Sequence, residues 1–109
     1  MKLVIAVVQD QDASRLIRTM MKEGFSATRL STTGGFLRAG NTTLLIGVQE
    51  DRIDACLDVI ERVCKTRTQK ISAATHTDGI GFIHDTADDE IRVGGATVFI
   101  LPVEEFKKL

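Results

Sequence analysis

The sequence predicts an α+β domain in which two amphipathic helices cover one face of a four-stranded antiparallel sheet. Its 109 residues suffice for one compact domain, and the 43% share of hydrophobic residues predicts an apolar core. The apolar periodicity changes along the chain in the order strand, helix, strand, strand, helix, strand. This order is that of two split βαβ halves, the ferredoxin-like pattern, spanning 1–109 as a single domain.

The first half supplies a strand, a helix and a hairpin. Residues 3–8 form a continuous apolar, β-branched run that is typical of a strand buried on both faces. Asp10 or Asp12 is placed to cap a helix, which Gly24 ends. Residues 25–32 and 42–48 predict two strands joined by a Gly-containing connection. The helical spacing is carried by Ala13, Leu16, Ile17, Met20 and Met21.

The second half begins with the clearest helix and ends with a strand. Helical spacing recurs over residues 53–64, with acids early and bases late, as the helix dipole favours. Residues 69–74 predict a short strand, and 75–90 a long flexible loop or an extended hairpin. Residues 91–101 predict a last core strand interrupted by Gly94-Gly95, followed by a tail at 103–109 with room for one helical turn.

Composition and charge exclude several classes of protein. The net charge of -1 lacks the basic excess of a duplex nucleic-acid binder. No apolar run approaches the ~18 residues of a membrane span, and the first apolar run lacks a cleavage site, so a cytoplasmic protein is expected. Cys56 and Cys64 are eight residues apart, roughly 12 Å along one helix, too far for a disulfide, which predicts two buried free thiols.

The glycine-rich segment TTGGFLRAGNTT, residues 32–43, carries the most specific pattern. Its GFLRAGNT differs by one residue from the P-loop pattern GxxxxGK[ST], with Asn41 in place of the lysine. A β-branched run follows where a P-loop needs a helix, so we exclude a P-loop. Two interpretations stay open. The glycine pairs shape a bulged hairpin, or backbone N–H groups there cradle an anion beside Thr28, Thr32, Thr33, Arg38 and Thr42.

The helix-free face of the predicted sheet needs a cover. Its strands are so apolar that an open face would exceed the apolar patch that soluble monomers tolerate. Association of several copies through the sheet is the simplest solution.

Three stretches of the chain together resemble the PII-like cyclic-di-AMP receptor family of Gram-positive and related bacteria. They are MKLVIAVVQDQD, TTGGFLRAGNTT and IRVGGATVFILPVEEF, and the resemblance weakens across 66–90. The resemblance implies a homotrimer that binds the bacterial second messenger cyclic di-AMP in clefts between subunits. It implies signal transduction without catalysis or cofactor, relayed to an unidentified protein partner by long loops.

The resemblance also implies particular ligand-binding residues. It places Thr28 at the polar edge of the ligand, Asn41 in hydrogen-bonding range and Gly47 beneath it. Gly35, Phe36 and Leu37 surround the base and phosphate, and Gly94-Gly95 approach from an adjacent strand. One position departs, since Ser26 stands where the family often has a basic residue. Arg29 carries charge nearby, but its side chain is expected on the opposite face of the strand.

Two other functions stay open at this point. A domain of the same fold can bind another adenine nucleotide, such as ATP or AMP, and the Ser26 departure is compatible with this. A small metal-dependent enzyme is the other, using His76 and His84 beside acidic residues, although the composition of this loop favours a solvated, mobile segment over a metal site. Those acids are Asp78, Asp85, Asp88 and Asp89.

Overall fold

The computed structural model describes residues 1–30, 40–70 and 90–109. Within them, four strands form an antiparallel sheet, and an α-helix follows the first and the third of these strands along the chain. The sheet and its helices consist of β1 (Lys2–Gln9), α1 (Asp10–Lys22), β2 (Ser26–Leu30), β3 (Asn41–Val48), a 3-10 turn (Glu50–Arg52), α2 (Ile53–Cys64) and β6 (Ala96–Pro102). The strand order across the sheet is β2-β3-β1-β6, and the ferredoxin-like α+β fold is thereby confirmed.

The register of the central strands separates a buried face from an open one. Val4 of β1 lies opposite Ile46 of β3 and Ile100 of β6, and Val4 and Ile46 are fully buried. Side chains alternate between the two faces of a strand, so the next pairs, Ile5 with Leu45 and Phe99, lie on the open face.

The core lies between the buried face and the two helices. Helix α1 contributes Leu16 and Met20, both fully buried. Burying a side chain of this size contributes about 1.5–3 kcal/mol. Cys56 and Cys64 of α2 are buried free thiols in this core, as their spacing predicts.

The segment after α2 differs from the prediction. A separate hairpin is present, in which β4 (Arg67–Lys70) pairs with β5 (Glu90–Val93). The predicted core strand over 91–101 is therefore confirmed for residues 96–101, which lie in β6 of the main sheet, and wrong for residues 91–93, which belong to β5 of this hairpin. The break falls at Gly94-Gly95, whose φ angles of 91° and 94° end a strand and suit glycine. The Gly95 N–H donates to the Cys64 carbonyl at this corner.

Four local predictions are also corrected or left untested. The first two residues of the predicted strand 69–74 fall inside β4, which starts two residues earlier. Neither Asp10 nor Asp12 caps α1, since Gln9 is its N-cap residue. The Asp10 carboxylate instead accepts from the Thr42 hydroxyl at 2.5 Å. No helical turn forms within 103–109. Residues 31–39 and 71–89 lie outside the described residues, including most of the predicted loop 75–90.

Candidate functional site

Three of the predicted ligand-binding residues lie together at one end of the open face of the sheet. Ser26 of β2 is opposite Gly47 of β3, and Thr28 is opposite Leu45. Their side chains share a face because paired residues in an antiparallel sheet point the same way. All three are exposed, so a ligand on this face has direct access to them.

A depression of about 170 Å³ adjoins the Ser26–Gly47 pair. Arg52 also lines this depression. It was not among the site residues predicted from the sequence. The Arg52 guanidinium lies 4.3 Å from the centre of the Phe25 ring, in a cation–π contact, and donates to the Glu23 carbonyl at 3.2 Å. Its position in the 3-10 turn, far along the chain from Ser26, gives no local signal.

The sequence expectation for Arg29 is consistent with its contacts. Arg29 pairs with the buried Leu44, which places it on the helix-covered face. Its guanidinium donates to the Ser14 hydroxyl of α1 at 3.2 Å. The cationic side chain that lines the Ser26 depression is therefore Arg52 and not Arg29.

A second depression, of about 240 Å³, lies where β1 ends and where β3 and β6 begin. It brings together three predicted residues, Asn41, Gly94 and Gly95, with Gln9 and Thr97. Gly40 precedes Asn41 and accepts a hydrogen bond from the Asp10 N–H at 2.8 Å. The glycine segment thus enters the sheet at this depression. Its members Gly35, Phe36 and Leu37 lie outside the described residues.

Gln9 is the residue of this depression that sequence reasoning missed. It is opposite Asn41 in the register, and its Oε1 accepts from the Gly94 N–H at 2.7 Å. A signal was available: Gln9 is the first polar residue after the apolar run of β1. Polar residues at such strand ends commonly face ligands in loop clusters.

The two depressions are well separated within one subunit. Asn41 and Gly47 are six residues apart on β3, which corresponds to about 20 Å along a strand. A single copy therefore presents two groups of predicted residues at opposite ends of its sheet.

Wider grooves lie beside the helices. One of about 660 Å³ between α2 and β6 is rimmed by Asp54, Asp58 and Glu61. Another of about 650 Å³ between α1 and β4 is lined by Arg15, Arg18 and Arg67. Of the predicted site residues that the structure describes, Gly95 borders the first groove.

Metal binding finds no support in the part of the chain that the structure covers. Residues 1–30, 40–70 and 90–109 contain no cluster of three or more His, Cys, Asp or Glu side chains that could hold a metal ion. His76 and His84, the metal candidates of the sequence, lie outside the described residues. Burial raises the pKa of the Cys56 and Cys64 thiols to about 11, which disfavours the thiolate that metals and electrophiles require.

The sheet and its two helices define a small α+β domain of the ferredoxin-like class. The family model described as cyclic-di-AMP receptor matches residues 1–109, so the chain belongs to the cyclic-di-AMP receptor family. This is a family of signalling receptors and not of enzymes.

The chain is also similar to a solved structure described as a functionally unknown protein from Pediococcus pentosaceus ATCC 25745. The identity is 40%, the match covers 99% of this chain and 96% of the other, and the TM-score is 0.77. No helix among the described residues is long and apolar enough to span a membrane.

Proposed function

We propose that this protein is a PII-like signalling protein that binds cyclic di-AMP between the subunits of a homotrimer. The observation that carries the proposal is the match of the receptor family over all 109 residues. The proposal includes a cytoplasmic location and the relay of the bound state to a protein partner.

The placement of polar groups supports a site shared between copies. One end of the open face offers Ser26, Thr28 and Gly47, with Arg52 in the adjoining depression. The other end offers Asn41 with the Gly94-Gly95 corner. If copies associate through their sheets, one end of a subunit can meet the opposite end of its neighbour. The proposed ligand set is Ser26, Thr28, Gly35, Phe36, Leu37, Asn41, Gly47, Gly94 and Gly95.

The apolar character of the open face supports association of copies. Phe99 and Leu101 of β6 are 52% and 43% exposed, and Leu3 and Ile5 of β1 are only partly buried. An apolar face of this kind gains free energy when a second surface removes it from water. In a trimer, each sheet would cover part of the next.

A second candidate ligand is another adenine nucleotide, ATP or AMP. It is favoured by Ser26, which stands where the resemblance leads us to expect a basic residue. Arg52 supplies a cation to the same depression, so the positive charge is displaced and not lost.

The relay to a partner is assigned to residues 75–90, with Phe82 and Ile83 as the apolar contacts. Limited proteolysis with and without saturating cyclic di-AMP tests it. Ligand should slow cleavage within 75–90. Equal cleavage rates would contradict this part of the proposal.

Calorimetry against cyclic di-AMP, cyclic di-GMP, ATP and AMP tests the ligand. Selective binding of cyclic di-AMP at one per subunit is expected, and Asn41→Ala should abolish it. Thr68→Ala, in exposed β4, is the matched control and should bind normally. His76→Ala and His84→Ala should also bind normally. Absence of cyclic di-AMP binding, or tighter binding of ATP or AMP, would contradict the first proposal.

A further inference from the structure

We infer that Gln9 is an additional ligand-contacting residue, whose side-chain amide donates to a phosphate oxygen of the nucleotide bound at Asn41. The inference rests on the proposed function. It assigns a role to a residue that neither the glycine segment nor the resemblance identified.

The orientation of the Gln9 amide follows from its hydrogen bonds. Its Oε1 accepts from the Gly94 N–H at 2.7 Å and, more weakly, from Gln11 Nε2 at 3.4 Å. Both partners are donors, so they require the oxygen of the amide and not its nitrogen. Among residues 1–30, 40–70 and 90–109, Nε2 donates no hydrogen bond, and none of these residues occupies its two N–H groups.

The surroundings of Gln9 place those N–H groups at the second depression. Gln9 lines the depression together with Asn41, Gly94 and Gly95, and it is half-buried. At Gly94 the position of a Cβ is already occupied by the Lys65 carbonyl and the Arg67 side chain, so this glycine is required by the packing of the corner that holds Gln9. Gln9 also ends β1, an interior strand of the sheet, which fixes its position before a ligand arrives.

The hydrogen-bonding capacity of the Gln9 side-chain amide selects the ligand group that it can bind. The Nε2 of Gln9 has donors only, and its oxygen is already occupied by Gly94. A group rich in acceptors, such as a phosphate oxygen, is the best partner for these donors. An adenine edge, which presents donors and acceptors side by side, would leave its own N–H₂ without an acceptor from Gln9.

Two substitutions at Gln9 separate ligand contact from a purely structural role. Gln9→Glu keeps an oxygen that accepts from the Gly94 N–H but brings negative charge to the depression. Gln9→Met has a similar shape and loses both functions. Gln69→Glu makes the same change on an exposed side chain of β4, outside both depressions, and is the control.

Calorimetric titration with cyclic di-AMP gives the expected order. Gln9→Met should weaken binding about tenfold, as for loss of one charge-assisted hydrogen bond. Gln9→Glu should weaken it further, and Gln69→Glu should stay within about twofold of wild type. If Gln9→Glu binds like wild type while Gln9→Met is weakened, Gln9 merely holds Gly94. If both bind like wild type, Gln9 has no role, and either result overturns the inference.

A second readout is independent of how well the variants fold. In the wild-type protein, the two Nε2 proton resonances of Gln9 should shift on saturation with cyclic di-AMP, while those of Gln69, an exposed residue of β4 outside both depressions, serve for comparison. Unchanged Gln9 resonances at saturation would overturn the role inferred for Gln9 and leave the proposed function standing. If the wild-type protein fails to bind cyclic di-AMP, the proposed function falls and the inference falls with it.

Discussion

Arg67 holds the carboxylate of Asp12 at two points, with Nη2 2.8 Å from Oδ1 and Nη1 3.4 Å from Oδ2. Asp12 is 2% exposed and the Arg67 side chain 34% exposed. The carboxylate raises the pKa of the Arg67 guanidinium, and Arg67 also donates to the Lys65 carbonyl at 3.1 Å. This ion pair ties the base of the β4–β5 hairpin to the first turn of α1.

Removal of Arg67 should destabilise the fold more than neutralisation of both partners. Arg67→Met leaves a buried carboxylate without its cation, and we expect a loss of about 2 kcal/mol in the free energy of unfolding. A fully buried pair would lose about 3–5 kcal/mol, and the partial exposure of Arg67 reduces the loss. Urea unfolding measures it.

The double variant Asp12→Asn with Arg67→Met is the control for this prediction. It removes the uncompensated charge and should recover part of the stability. A double variant less stable than Arg67→Met would show that the buried charge is not the cause.

Alanine at Gly94 should cost far more stability than alanine at Gly40. Both glycines have φ near 90°, so the backbone strain is similar, about 1–2 kcal/mol. A Cβ at Gly94 would lie 2.7 Å from Arg67 Nη1 and still closer to the Lys65 carbonyl oxygen, whereas at Gly40 no atom of the described residues lies within 4 Å. Overpacking adds about 1–3 kcal/mol. Thermal unfolding of the two variants measures the difference, and equal losses would contradict the packing at this corner.

The two thiols should make the protein less stable at high pH. Burial raises the pKa of Cys56 and Cys64 from 9.0 to about 11. A raised pKa favours the folded state while the thiol is protonated. This stabilisation is complete below pH 9 and is lost as pH rises through 11, on the order of 2 kcal/mol per thiol. Urea unfolding across this range should show the loss.

The variant with both cysteines changed to alanine is the control, since its lysines titrate as in the wild type. Its stability should fall less steeply between pH 9 and 11. Native wild-type protein at pH 8 should also react with iodoacetamide at least about a hundredfold more slowly than urea-unfolded protein. Equal slopes, or comparable alkylation rates, would contradict the raised pKa values.

A charge on the open face should dissociate the proposed trimer. Phe99→Glu places a carboxylate where the proposal puts a neighbouring sheet, and an unpaired buried charge is costly. Light scattering should then give the mass of one chain in place of three. Met21→Glu substitutes an apolar residue of α1 that is 66% exposed and should leave the mass unchanged. A wild-type monomer, or a Phe99→Glu trimer, would contradict association through this face.

Restoring a basic side chain at Ser26 should tighten cyclic di-AMP binding. A cation beside a phosphate gains about 1 kcal/mol at an exposed position, or roughly fivefold in affinity. Ser26→Arg is compared with Ser26→Gln, which adds length without charge and should change little. Unchanged affinity in Ser26→Arg would indicate that Arg52 already supplies the charge.

Local sequence patterns were sufficient to predict the helices and strands whose apolar residues recur regularly. The continuous apolar run of β1 predicts a strand, and the spacing of Leu16 and Met20 predicts a helix with one buried face, because both patterns are read from neighbouring residues in the chain. The same patterns gave the order of elements and hence the sheet topology. The positions of Asn41 and Gly94-Gly95 came from the resemblance of the glycine-rich stretches, and the structure places these residues in one depression.

Only the tertiary structure decided how distant residues meet. Gly94-Gly95 end β5 because Gly95 bonds to Cys64 and Gly94 to Gln9, contacts that no local period encodes. Asp12 is sequestered by Arg67, 55 residues away, so its capping propensity is overridden. The sequence by itself determined which faces are apolar and where turns are permitted. Packing decided the hairpin, the ion pair and the place of Gln9, because these depend on side-chain geometry across strands that are remote in the chain.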